Sequence, residues 1–180
     1  MTDLSLPKEP SLRKQTDTDK FILDATAGFR MMWFNKHHPN AIYLDQRPEC
    51  EPDIVGDFRD LKQFPDETFR LIVFDPPHMI RGSASKNNDL IRKFGCLNPD
   101  NFKDDFRKGF RELWRKLAPY GILIFKWNNR YFPSNEVLEL FPEKPLVYQI
   151  TSNKNNEKGS QMVSTMWFCF MKIPEKELTV

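Results

Sequence analysis

Residues 71–78 have the sequence Leu-Ile-Val-Phe-Asp-Pro-Pro-His, an apolar run that ends in an acid, two prolines and a flat ring. The apolar run predicts a buried strand, and the prolines cannot extend it because they lack a backbone N–H and fix φ. The strand is therefore followed by a rigid turn that carries a carboxylate, backbone carbonyls and an imidazole. Such a turn suits the capture of a planar NH2 group. The alternative is an ordinary Pro-Pro turn with a capping Asp75.

The length and composition predict one globular domain. The chain has 180 residues, of which 39% are hydrophobic and 29% charged, and this length can bury a sizeable core. No apolar run is long enough to span a bilayer. The polar segment 1–20 lacks a signal-peptide core, so we expect a cytoplasmic protein that contacts no membrane. The scattered cysteines Cys50, Cys96 and Cys169 indicate neither a disulfide framework nor a metal site.

Positive charge is concentrated directly after this turn. Between Arg81 and Lys116 there are ten basic and five acidic residues, whereas the net charge of the whole chain is only +2. A basic surface beside a pocket is typical of a protein that binds nucleic acid. The alternative is a solvated helix face, since much of this charge falls on one predicted helix.

Short apolar runs alternate with helical patterns over the first two thirds of the chain. Strands are predicted at residues 21–24, 41–45, 53–57, 71–74, 121–127, 145–150 and 164–173. Helices are predicted at residues 29–36, 99–117 and 135–141. Asn98 and Ser134 are in place to cap the last two. This order predicts an α/β fold with a mainly parallel sheet and an antiparallel C-terminal strand, in one domain at 21–180 preceded by an arm at 1–20.

An acid ends each of the first four predicted strands, namely Asp24, Asp45, Asp57 and Asp75. In an open parallel sheet, ligands bind at the carboxyl ends of the strands, near the point where the strand order reverses. The small-residue turn after Asp24 matches neither GxxxxGK[ST] nor GxGxxG, so it lacks the usual seat for phosphates. A ligand with an adenosine and no phosphate fits better, and S-adenosyl-L-methionine is such a ligand.

Each part of that ligand has a candidate partner in the sequence. Asp45 can accept both hydroxyls of the ribose. Asp57 and Phe58 suit the amine and the ring face of the adenine. The amino-acid end of the ligand is expected near Asp24 and the backbone at Gly28.

Four segments resemble class I S-adenosylmethionine-dependent methyltransferases, in the branch whose catalytic motif is Asp-Pro-Pro-aromatic or Asn-Pro-Pro-aromatic. The segments are 24–34 (DATAGFRMMWF), 43–47 (YLDQR), 74–78 (FDPPH) and 124–127 (IFKW). More narrowly, they are similar to small stand-alone methyltransferases carried by phages and mobile elements of Gram-positive bacteria. The similarity extends over about residues 20–173.

The resemblance implies a single Rossmann-like domain, S-adenosyl-L-methionine as cofactor, and a role for each matching residue. The cofactor-binding residues that it implies are Asp24, Ala25, Thr26, Gly28, Asp45, Gln46, Asp57 and Phe58. The catalytic residues that it implies are Asp75, Pro76, Pro77 and His78. The first motif has one glycine where many relatives have more, so we expect Arg30 to bind the carboxylate of the cofactor. His78 stands where relatives that methylate bases carry Tyr, Phe or Trp.

The expected function is methylation of an amino group on a nucleic-acid base, with adenine N6 in DNA as the first hypothesis. Asp75 and the Pro76 carbonyl would accept the two amine hydrogens, and His78 would stack on a flipped base. The alternatives are an RNA, protein glutamine or small-molecule acceptor, and a regulatory subunit that binds the cofactor without catalysis. The chain has no large target-recognition region, so we expect low specificity, an unusual target, or help from a specificity partner or a homodimer.

Overall fold

The computed structural model describes residues 20–79, 91, 93–152, 164–174 and 177. Its strands are β1 (Ile22–Asp24), β2 (Ala41–Asp45), β3 (Ile54–Val55), β4 (Phe69–Phe74), β5 (Leu117–Asn128), β6 (Val147–Ser152) and β7 (Ser164–Met171). Its helices are α1 (Phe102–Lys116) and α2 (Ser134–Leu138), with a 3-10 turn at Pro48–Cys50. Within the described ranges, seven strands form one sheet in the order β3-β2-β1-β4-β5-β7-β6.

The sheet is mainly parallel. Strands β1 to β5 run parallel to their neighbours among themselves, and β7 runs antiparallel to both β5 and β6. Every residue of β1 and β2 is buried, as expected for parallel strands covered on both faces. The predicted α/β fold, with an antiparallel strand at its C-terminal end, is therefore confirmed.

The strand order reverses between β1 and β4, which are neighbours in the sheet although β2 and β3 separate them in sequence. Asp24 at the end of β1 is in register with Tyr43 of β2 and Val73 of β4. The chain leaves β2 at Asp45 and leaves β4 just before Asp75. Three strand-end acids therefore meet at one edge of the sheet.

Aromatic rings pack α1 against one face of the sheet. Phe106 and Phe110 are fully buried, and Phe110 stacks on Phe141 with ring centroids 4.2 Å apart. Gly109 allows the ring of Phe58 to approach the helix backbone, because an added Cβ would lie only 2.1 Å from Phe58 Cε2. This close contact holds Phe58 between α1 and the end of the sheet.

The helix predicted at residues 29–36 is wrong, since this segment forms a series of turns. Arg30 has a φ of +55°, which a right-handed helix does not allow. Its guanidinium donates to the carbonyl of Glu51 at 2.8 Å, and Trp33 Nε1 donates to Asp24 at 2.7 Å. Polar partners distant in sequence therefore outweigh the local helical pattern.

Both predicted helix caps are also wrong. The residue before α1 is Asn101, and the residue before α2 is Pro133. Pro133 has the extended backbone of a cap residue, with ψ at 141°, so Ser134 falls inside the first turn, where its hydroxyl makes no hydrogen bond. The Asn98 side chain accepts the backbone N–H of Asp100, which forms a turn ahead of α1.

Some sequence predictions concern residues outside the described ranges. These are the N-terminal arm up to residue 19, residues 81–90 and 92 of the basic segment, and most of the polar connection before β7. Among the helices that the structure does describe, none has the length and hydrophobicity needed to cross a membrane.

Candidate active site

A cavity of about 800 Å³ opens at the carboxyl ends of β1, β2 and β4. Eleven of the thirteen predicted site residues line it: Asp24, Ala25, Thr26, Gly28, Asp45, Gln46, Phe58, Asp75, Pro76, Pro77 and His78. The two predicted residues that do not line it are Arg30 and Asp57. In the ranges that the structure covers, no three His, Cys, Asp or Glu side chains are grouped to hold a metal ion.

The turn after β1 is built around the carboxyl group of Asp24. Trp33 Nε1 donates to Oδ2 at 2.7 Å, and the backbone N–H of Thr26 donates to Oδ1 at 3.3 Å. Burial raises the pKa of Asp24 to about 7, although both hydrogen bonds oppose the rise. This carboxyl group therefore exchanges its proton near neutral pH and will ionise when a cation approaches.

Thr26 and Gly28 connect the turn to the neighbouring strands. Thr26 Oγ1 accepts the backbone N–H of Asp75 at 2.8 Å, which links the first turn to the Pro-Pro turn. The N–H of Gly28 donates to Asp45 Oδ2 at 2.7 Å. Gly28 adopts a φ of +50°, and a Cβ there would lie 3.3 Å from the Arg47 guanidinium. A larger residue would therefore be strained and would crowd the cavity wall.

Asp45 is held by a cation two residues further along the chain. Arg47 Nε donates to Oδ1 at 2.9 Å, and its second guanidinium nitrogen donates to Oδ2 at 3.1 Å. Burial favours protonation of Asp45, but the hydrogen bonds from Arg47 outweigh it and hold the pKa of Asp45 below its usual value. Asp45 is therefore a fixed carboxylate, and a ligand that binds it must share it with Arg47.

The same spacing recurs at the end of β3. Arg59 binds Asp57 through Nε, at 2.9 Å from both carboxylate oxygens, and also contacts Asp105 of α1. Arg59 and Phe58 line the cavity, whereas Asp57 does not. Although burial raises it, the pKa of Asp57 is lowered overall by these hydrogen bonds from Arg59. Asp57 therefore orients Arg59, which lines the cavity, and does not line the cavity itself.

Arg30 lies away from the cavity. Its guanidinium donates to the carbonyls of Lys36 and Glu51, at 2.9 and 2.8 Å, and stacks over the ring of Tyr43 at 4.1 Å. These contacts fix the turns that replace the predicted helix. The structure therefore does not bring Arg30 to the place where it was expected to bind a cofactor carboxylate.

Asp75 meets a lysine from the neighbouring strand. Lys126 Nζ lies 2.6 Å from Asp75 Oδ2. Asp75 Oδ1 and His78 Nδ1 are buried and have no hydrogen-bond partner among the described residues. Buried polar atoms without partners are rare in folded proteins. Within the described residues, the Asp75 carboxylate therefore has acceptor capacity that no protein group uses.

His78 is placed as a flat, neutral ring. It packs edge-on against Trp127 with ring centroids 5.7 Å apart, and Trp127 itself is fully buried in the core. Burial lowers the pKa of His78, so its imidazole is uncharged at neutral pH. Pro77 is fixed by Gly95, where a Cβ would lie 2.9 Å from Pro77 Cγ.

Solved structures of other proteins have a fold similar to that of this chain. The chain is similar to an S-adenosylmethionine-dependent methyltransferase from Methanosarcina mazei, with a TM-score of 0.53 and 11% identity, over 89% of this chain and 95% of that one. The chain has a Rossmann-like methyltransferase fold. No family model matches this sequence, and neither does any curated protein sequence.

Other solved structures resemble this methyltransferase fold less closely. The N-methyltransferase NodS from Bradyrhizobium japonicum has a TM-score of 0.49 and 13% identity, over 85% of this chain and 84% of that one. A candidate DNA modification methylase from Thermus thermophilus, solved with S-adenosyl-L-methionine, has a TM-score of 0.43 and 22% identity, over 66% and 54%. At such identities only the fold is shared, so the chemistry has to be argued from the cavity.

Four cations that line the cavity were not among the predicted site residues. They are Arg47, Arg59, Lys93 and Lys126. The first two each follow a strand-end acid by two residues, and this spacing is the signal that could have identified them. Lys126 carries no such local signal, because its partner lies on another strand.

Proposed function

We propose that the protein transfers a methyl group from S-adenosyl-L-methionine to an amino group of a nucleic-acid base, with adenine N6 in DNA as the acceptor. The observation that carries this proposal is the position of Asp75-Pro76-Pro77-His78 in the same cavity as Asp24 and Asp45. A methyl donor and an amine can therefore meet within one cavity. The methyltransferase fold supports the reaction class.

The cavity residues fit the cofactor, which supplies a methyl group on a positively charged sulfur. Gly28 keeps the first turn open, and its φ of +50° would strain any larger residue. Asp24 gains its charge when the cofactor ammonium approaches, since an opposite charge favours the ionised form. Phe58 offers an apolar ring face to the adenine. Asp45 accepts the ribose hydroxyls alongside Arg47.

The Pro-Pro turn prepares the acceptor amine. The lone pair of an exocyclic amine is delocalised into its ring, so the amine is a poor nucleophile. Asp75 and the Pro76 carbonyl accept its two hydrogens and favour a pyramidal nitrogen. The lone pair would then form the new N–C bond as the C–S bond of the donor breaks, and the electron pair of that C–S bond would remain on the sulfur and neutralise it. The nitrogen would finally release one proton to water, and positioning would supply most of the rate.

The outer face of α1 supports a nucleic-acid partner. This face exposes Lys103, Arg107, Lys108, Arg111 and Arg115. A shallow groove along it is lined by four of these cations and by Arg59, Asp104 and Glu112, and Arg59 also lines the cavity. A mainly basic groove that shares Arg59 with the cavity suits a phosphate backbone whose flipped base enters the site.

The test is a methyl-transfer assay with the full chain. The protein is incubated with methyl-labelled cofactor and with separate pools of DNA, RNA, protein and small molecules. We expect label in DNA, recovered as N6-methyladenine. Asp75→Ala should lower the rate by about 100-fold or more and leave cofactor affinity within about threefold. The matched control is Asp60→Asn, because Asp60 pairs with Lys62 on the surface.

Each contrary result has a distinct meaning. Full activity of Asp75→Ala would overturn the role of the Pro-Pro turn. Label in another pool would replace DNA with that acceptor class. Cofactor binding with no transfer to any pool would favour a regulatory subunit, and no cofactor binding by calorimetry would overturn the whole proposal.

A further inference from the structure

Lys126 is fixed beside Asp75 by the register of the sheet. Phe74 of β4 pairs with Phe125 of β5 in a parallel ladder, so the next residues on the two strands stand side by side. Lys126 Nζ lies 2.6 Å from Asp75 Oδ2. Both side chains line the cavity.

A ring from the next strand confines the ammonium group. Trp167 of β7 is the register partner of Lys126, and Lys126 Nζ lies 5.6 Å from the centroid of the indole. An ammonium over an aromatic face is attracted to it. The lysine is therefore held between a carboxylate and a ring, with 22% of its side chain exposed.

The pair has a donor and an acceptor left for a ligand. An ammonium has three N–H donors, and Asp75 is the one hydrogen-bond acceptor that the described part of the chain provides for Lys126. Asp75 Oδ1 is buried and has no hydrogen-bond partner among the described residues. The cavity wall thus includes a carboxylate with spare acceptor capacity in the described structure, next to a fixed cation.

We propose that Lys126 is a substrate-recognition residue that donates a hydrogen bond to the ring nitrogen beside the target amine, while Asp75 accepts from the amine itself. This inference rests on the proposed function and deepens it. The edge that the pair recognises is N–C–NH2, with a bare ring nitrogen next to the amine. Adenine has this edge at N1 and N6, and cytosine has it at N3 and N4.

The same geometry excludes other amines. Guanine has an N–H on the N1 side of its amine, where Lys126 would meet a donor, and its bare N3 lies on the other side, next to the sugar. An aliphatic ammonium would face Lys126 with like charge. The Asp75–Lys126 pair therefore selects ring amines with a bare nitrogen beside them, as in adenine and cytosine, accepts guanine only from its N3 side, and rejects alkyl amines.

A cycle that combines a substitution in the protein with a substitution in the substrate tests this contact. The substrates are two oligonucleotides, one with a single adenine and one with 1-deazaadenine, in which C–H replaces N1. Wild type should lose about 10- to 100-fold in kcat/KM on the deaza substrate, as expected for a hydrogen bond from a charged donor. On adenine, kcat/KM of Lys126→Met should be lower than that of wild type by a similar factor. For this variant, the values of kcat/KM on the two substrates should agree within about twofold.

Two further variants keep the result interpretable. Lys126→Arg retains the donors, so it should restore discrimination between the substrates. Lys62→Met removes an exposed lysine remote from the cavity and should behave as wild type. Melting curves report whether each variant is folded, and the comparison of two substrates within one variant does not depend on its overall activity.

The outcomes separate this inference from the proposed function. Suppose that wild type methylates adenine, but that kcat/KM of Lys126→Met falls between adenine and 1-deazaadenine by the same factor as that of wild type. The contact with Lys126 is then overturned and the proposed function stands. If wild type binds the cofactor and methylates neither adenine nor cytosine, the proposed function fails, and this inference fails with it.

Discussion

Gly109→Ala should destabilise this protein, although replacing a helical glycine with alanine usually stabilises a protein. In an exposed helix interior, replacing glycine with alanine stabilises by about 1 kcal/mol. In α1 the new Cβ would lie 2.1 Å from Phe58 Cε2 and 2.3 Å from Cδ2. The ring cannot easily retreat, because it also packs on Phe74 with centroids 5.0 Å apart.

The expected change in the free energy of unfolding follows from two opposing effects, overpacking of the core and improved helix propensity. Overpacking a well-filled core costs about 1–3 kcal/mol, and the helix-propensity gain offsets about 1 kcal/mol of it. We therefore expect the free energy of unfolding to fall by up to about 2 kcal/mol. The melting temperature of a chain of this size should fall by about 2–4 °C for each kcal/mol. Since Phe58 lines the cavity, cofactor affinity should fall as well.

The assay combines urea unfolding with calorimetric titration of S-adenosyl-L-methionine. The matched control is Lys108→Ala, an exposed neighbour on the same helix that should leave both quantities nearly unchanged. Adding Phe58→Leu to Gly109→Ala removes the clashing ring atoms and should recover part of the stability. A Gly109→Ala variant that is more stable than wild type by about 1 kcal/mol, as in an exposed helix, would refute the close packing of Phe58 on α1.

Three further predictions concern titration, nucleic-acid binding and stacking. Because folding raises the pKa of Asp24 from 3.8 to about 7, its contribution to stability is complete below pH 3.8 and is lost as the pH rises to 7. Between about pH 5 and pH 8, wild type should therefore lose about 3 kcal/mol more unfolding free energy than Asp24→Asn, and equal losses would contradict this. Replacing Lys108 and Arg111 with glutamine should lower the salt dependence of oligonucleotide binding by about one unit per lost phosphate contact, measured by anisotropy, whereas Lys62→Gln should not. Because burial lowers the pKa of His78, the imidazole acts as a neutral ring at neutral pH and above, so His78→Phe should leave the shape of the pH–rate profile unchanged from pH 7 to pH 8. An inflection that is lost on this substitution would instead assign proton transfer to His78.

The parallel strands could be predicted because each is a continuous apolar run between polar turns. Strand β2 forms at Ala41–Asp45, the residues predicted for it. The segment 29–36 could not be predicted from its pattern. Its apolar residues suggest a helix, but Trp33 reaches Asp24 and Arg30 reaches Glu51. Such partners are invisible to local periodicity because the sheet has to form before they come within reach.

The candidate site also has one part that could be predicted from the sequence and another part that could not. Acids at strand ends and a turn of two prolines follow from local rules, since a buried strand that meets a proline cannot continue and must expose its next side chains at the sheet edge. Their cationic partners depend on strand order and register. Lys126 is separated from Asp75 by 51 residues, yet the two groups lie 2.6 Å apart. A long flexible side chain can meet many acids, and only the folded sheet decides which one it meets.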